Sequence, residues 1–237
     1  MTNGHQTDHP AASGAALKQT GETYQRLLTD LFGAIAYGEL SAFERMSSDA
    51  RFSPTLHDRA TLGRLAVHEY AHFELICARL SAMGADPEEA MRPFQPSVDA
   101  FHDRTRPADW YESLMKFYVT DAISDDFYSA VASRLDAETN SLFQGLKATE
   151  QPGEILLGRL REALADDPRL ASRLALWGRR LVGEALTQAQ RVLIERAFLG
   201  GLFDDGGQDA VDAEIKSLTA QLTRNHSRRM SLLGLTA

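Results

Sequence analysis

Residues 62–83 read LGRLAVHEYAHFELICARLSAM. Leu62, Leu65, Ile76, Leu80 and Met83 recur at three- and four-residue steps, the period of one helix face. Glu69 and His72 fall in the same stripe. Gly84 follows at the place of a helix C-cap. The spacing predicts a helix over residues 58–83 with two polar side chains inside an otherwise apolar seam. A carboxylate in such a seam is costly unless it is paired or holds a metal.

Working outward, a second stripe precedes this one. Leu28, Leu31, Ile35, Ala42 and Met46 predict a helix over residues 22–46, with Glu39 in its stripe. Glu39 lies thirty residues before Glu69, the interval that two antiparallel helices and a short connection need to bring the two level. Further helices are predicted over 108–132, 137–149, 154–164, 169–199 and 211–233. Proline is absent from Ala108–Gln151 and from Arg169–Ala237, and no window sustains a two-residue alternation, so a sheet is unlikely to form. Pro87, Pro93 and Pro96 mark a loop, and Pro152-Gly153 a break or kink. Residues 1–20, rich in small and polar residues, read as a disordered tail. The expectation is an all-α bundle of about six helices forming one domain over residues 21–237.

Composition narrows the function. The 237 residues carry a formal charge of −8, with 43 % apolar and 24 % charged residues. That is an ordinary globular composition, and its acidic balance argues against a generic nucleic-acid binder. No apolar run approaches a membrane span, and the N-terminus lacks a secretory pattern. Cys77 is the sole cysteine, which excludes an internal disulfide and a zinc ribbon. These features point to a cytoplasmic protein.

One Glu from one helix and Glu-x-x-His from its neighbour make half of a di-iron carboxylate site. Carboxylate oxygen and imidazole nitrogen suit iron or manganese. Asp121, on the next long helix, is the counterpart of Glu39, and a similar interval beyond it reaches Glu150. Three residues on stands Gly153, where a second Glu-x-x-His would have histidine. One register earlier stand Thr149 and Pro152. Asp125, Asp126, Glu154, Glu184 and His226 are alternative donors. The string His68-Glu69-Tyr70-Ala71-His72 also matches the H-E-x-x-H of zinc metallopeptidases. Against that reading, the seam places His68 on its flank, Glu39 would have no role, and no strand is predicted. Arg179, Arg180 and Arg191 form either a phosphate-facing patch for RNA or partners for Glu184 and Glu195. Trp177, Tyr37, Tyr70, Tyr118 and Tyr128 read as core.

The segments YGELSAFERM (37–46), HEYAHFE (68–74), VTDAISDDFY (119–128), LALWGRRLVGEALTQAQRV (174–192) and NHSRRM (225–230) resemble an actinobacterial ferritin-like family. That family is similar to the tRNA-(2-methylthio-N6-isopentenyl-adenosine) hydroxylases. The resemblance covers residues 20–235 and implies a ferritin-like four-helix bundle with additional C-terminal helices. It implies metal ligands at Glu39, Glu69, His72 and Asp121, with an acidic residue and a histidine near 149–153. It also implies one or two irons per chain, oxygen-dependent hydroxylation, and tRNA as substrate by analogy. An external electron donor is then required, since no flavin or ferredoxin motif is present. Three functions therefore stand side by side: a di-iron hydroxylase, a single-metal protein, and a scaffold or partner-binding bundle, as a homodimer, whose metal site has decayed.

Overall fold

A computed structural model describes residues 21–147, 152–195 and 208–237. The expected disordered tail, Thr149 and Glu150 lie outside the described residues. Among the described residues there is no strand, and the chain is all-α, as periodicity predicts. The elements are α1 (Gly21–Asp49), a 3-10 turn (Ala50–Phe52), α2 (Leu56–Ala82), α3 (Pro87–Met91), α4 (Gln95–Arg104), α5 (Trp110–Ala132), α6 (Ala137–Lys147), α7 (Pro152–Asp166), α8 (Arg169–Glu195) and α9 (Gln208–Leu232). The helix expected to reach residue 199 is described to Glu195, and the remainder lies outside the described residues.

Local chemistry places these ends. Thr55 caps α2 by accepting the Asp58 backbone N–H at 3.0 Å, and Asp109 caps α5 by accepting that of Glu112 at 3.0 Å. Beyond α2, Gly84 takes φ +80°, the left-handed conformation that ends a helix without a Cβ clash. The segment expected as a loop is instead partly helical. Pro87 and Pro96 occupy the first turns of α3 and α4, where a missing N–H costs nothing. The prolines there start helices rather than prevent them.

α1 and α2 pair antiparallel. Leu28, Leu31, Phe32 and Ile35 of α1 share one apolar cluster with Ile76 and Leu80 of α2, together with residues of α3, α6 and α9. Met46 shares the other cluster with Leu62, Leu65 and Ala66, and with buried residues of α5, α7, α8 and α9. Between these two apolar zones lies the level of Glu39 and Glu69. Leu170, Leu174, Trp177 and Leu181 form one stripe of α8 that is buried throughout. Tyr118 is buried as expected, but Tyr70 is 38 % exposed, because its stretch of α2 faces outward. No described helix is long and apolar enough to cross a membrane.

Candidate metal centre

Glu39 enters from α1, and Glu69 and His72 enter from α2. Each offers one ligand atom, and the three atoms lie within 4.8 Å of one another. The i, i+3 spacing of Glu69 and His72 puts both on the α2 face that meets α1. Glu69 is 5 % exposed, and the Glu39 and His72 side chains are 16 % and 18 % exposed. His72 Nδ1 stands 3.6 Å from Glu39 Oε2. Neither Glu39 Oε2 nor His72 Nε2 has a hydrogen-bond partner among the described residues. Three buried donor atoms thus converge with polar valence left over.

The electrostatics follow from burial. Desolvation pushes Glu39 up to about 7, opposed by a hydrogen bond from Glu69 and reinforced by the charges of Asp121 and Asp125. Glu69 is raised well above the usual carboxylate range, first by burial and then by Glu39. The two carboxyls are joined by a hydrogen bond in which Glu69 donates to Glu39. Asp121 of α5 is pushed up to about 7 by burial, then by the charges of Glu69 and Asp125. Burial and the Glu39 charge also hold the Tyr128 hydroxyl protonated.

Glu39, Glu69 and Asp121 line a half-open cavity of about 220 Å³ bordered by α1, α2, α4, α5 and α8. Asp121 thus faces the site, although its oxygens fall outside the 4.8 Å set. The structure brings Glu39, Glu69, His72 and Asp121 to one place. Glu150 lies outside the described residues. The alternative donors are engaged or turned elsewhere. Asp126 accepts both Arg229 nitrogens, at 2.7 and 2.8 Å, and an Asn225 N–H at 3.1 Å. Glu184 is bound to Arg104 at 2.6 Å. Glu154 is exposed on α7, whereas Asp125, though exposed on α5, stays near enough for its charge to act on Glu39, Glu69 and Asp121. His226 is buried on α9, and it is not among the residues lining this cavity.

The zinc-peptidase reading loses its geometry. His68 packs edge-on against His72, ring centroids 4.2 Å apart, and does not belong to the convergent set, whereas Glu39 does. The arginine pairings also differ from expectation. Glu184 is taken by Arg104, while Arg180 donates to the Arg104 carbonyl at 2.5 Å and Arg179 to the Thr236 carbonyl at 3.1 Å. These two guanidiniums tie helix ends together.

Two cavity residues escaped the sequence reading, His102 of α4 and Gln188 of α8. The first had a signal: Phe94, Val98, Phe101 and His102 keep helical spacing between Pro93 and Pro107. Gln188 had none, since a lone glutamine on a helix reads as surface.

Residues 22–206 match the family model described as a ferritin-like domain of actinomycetes. No curated protein matches the chain.

Proposed function

The chain belongs to the ferritin-like domain family of actinomycetes, and from that premise we propose that it is a non-heme iron protein whose primary metal is held by Glu39, Glu69 and His72. The observation carrying this reading is the convergence of their three ligand atoms within 4.8 Å, in a largely buried place between two helices. Two carboxylates and one imidazole suit iron or manganese. The raised carboxyls fit the same conclusion, because a divalent cation supplies the positive charge that the site lacks. Asp121, which lines the same cavity, would bind a second ion or a bridging group.

Iron, when bound, would supply the binding and reduction of dioxygen. Cation binding would displace the proton of the Glu69–Glu39 hydrogen bond, because carboxylate ligands bind deprotonated. The largely buried position of the donor atoms lowers the local dielectric, which strengthens charge interactions there. The reaction class that the resemblance implies is an oxygen-dependent hydroxylation in the cytoplasm, fed by an external electron donor.

The test is elemental analysis for iron, manganese and zinc on protein reconstituted anaerobically with ferrous iron. The expected result is at least one iron per chain, lost in Glu69→Ala and in His72→Ala. Two irons would place Asp121 in a second site, and Asp121→Ala should then halve the content. No metal in the wild type, with both variants folded and unaltered, would overturn the proposal and leave the bundle as a scaffold.

A further inference from the structure

The cavity beside Glu39 has further polar groups in its lining. Gln188 is 9 % exposed, yet neither its Oε1 nor its Nε2 has a hydrogen-bond partner among the described residues. His102 lines the same cavity, and its Nδ1 is likewise without a partner there. A buried carboxamide is normally satisfied, because leaving it unpaired costs the desolvation of both its atoms. Its surroundings here are aromatic: Phe94, Phe101, Phe117 and Phe127 line the same walls. A largely apolar place whose lining holds a donor and an acceptor without partners among the described residues is the usual build of a small-molecule site.

The charge pattern limits the occupant. Three carboxyls border the cavity on the α1, α2 and α5 side, which disfavours an anion. On α4 burial, followed by the charges of Lys116 and Arg45, holds the His102 pKa down at about 3, which leaves the imidazole neutral, and the same two cations disfavour a positive head. Size sets a further bound. A cavity of about 150 Å³ accommodates benzene, so the 220 Å³ here admits one ring with a small head.

The geometry points to a binding site for a neutral, planar, largely apolar molecule whose head both donates and accepts hydrogen bonds. A carboxamide is the closest match, paired with the carboxamide of Gln188 beside His102, its body lying along the aromatic walls toward Glu39. This deepens the metal-site reading, on which it rests only for what the far end of the molecule meets. The recognition of the head stands on Gln188 and His102 alone.

Calorimetric titration of the full-length, metal-free chain tests it with two probes of one shape, benzamide and isopropylbenzene. A site built to hydrogen-bond its ligand rejects an analogue that cannot pair. Benzamide is therefore expected to bind more tightly than the hydrocarbon. Gln188→Leu should weaken benzamide about tenfold and reverse the order. The same variant should melt higher than the wild type without ligand, as expected where an unsatisfied polar group is kept for binding. Equal or stronger binding of isopropylbenzene by the wild type would overturn the proposal. So would binding of neither probe at millimolar concentration, or benzamide affinity unchanged in the variant. If Gln188→Leu does not fold, the wild-type comparison decides. Metal content is measured alongside. A benzamide preference without metal binding faults the metal reading alone, and metal binding without the preference faults this inference alone.

Discussion

Glu69 is the residue on which the site's energetics turn. It is buried, raised well above its ordinary pKa by that burial, and hydrogen-bonded to a second carboxyl. A carboxyl with a raised folded-state pKa contributes stability below its unfolded value, near 4.5, and loses it as pH climbs through the folded value. Glu69→Gln keeps the volume and removes the charge. At pH 8 the metal-free variant should therefore be more stable than the wild type in denaturant titrations, while its metal content falls. His226 gives the opposite dependence. Burial, then the Arg229 charge, lowers its pKa to about 4. The folded state thus refuses a proton that the unfolded chain accepts between about 6.5 and 4. Stability from this group is complete above pH 6.5 and drains away as pH falls toward 4. His226→Leu should flatten that limb of the stability–pH curve by about 2 kcal/mol, read by chemical denaturation at pH 7 and pH 4.5.

Two glycines show how closely the elements approach. A methyl group at Gly33 of α1 would overlap the Ala90 carbonyl of α3, which is backbone and cannot step aside. Gly33→Ala should cost about 2–3 kcal/mol and lower the Tm by roughly 4–10 °C. At Gly178 of α8 the obstacles are the Met230 and Met115 methyl ends, 2.7 and 2.9 Å from the added carbon. Thioether chains are flexible, and alanine gains about 1 kcal/mol of helix propensity over glycine. Gly178→Ala should therefore fall within about 1 kcal/mol of the wild type in the same scans. The contrast separates a packing contact made by backbone from one made by movable side chains. α4 is held from both sides as well. Lys116 donates to the Thr105 carbonyl at 3.0 Å, and Arg180 to that of Arg104, satisfying carbonyls that a helix end leaves open. This anchoring holds Phe101 and His102 against the cavity.

At the scale of the whole molecule, a ligand that binds only the folded chain raises its stability by mass action. Ferrous or manganous ion at a hundred times its dissociation constant should add about 2.7 kcal/mol, a Tm rise of roughly 5–10 °C. Glu69→Ala and His72→Ala should show no rise, and a chelator should reverse it in the wild type. The formal charge of −8 supports the encounter, since a net negative field concentrates cations near the surface.

Much of this was legible in the chain itself. Helical periodicity fixed the long elements, Gly84 marked the end of α2, and the thirty-residue interval between Glu39 and Glu69 foretold that they meet. Those signals are local or depend on one short connection, so geometry carries them with little ambiguity. The rest depended on packing between distant segments. Asp126 and Glu184 look as available as Asp121 in a one-dimensional reading, and only the approach of Arg229 and Arg104 removes them. Gln188 sits well over a hundred residues from Glu39 and belongs to a helix with many exposed polar positions. Its burial arises where α4 and α8 close the cavity, a juxtaposition that no periodicity within α8 records. The sequence by itself determined which helices form and which of their faces are apolar, because propensity and period are properties of neighbours in the chain. The tertiary structure alone decided which polar side chains were left facing one another in the dark, because desolvation is set by what packs on top.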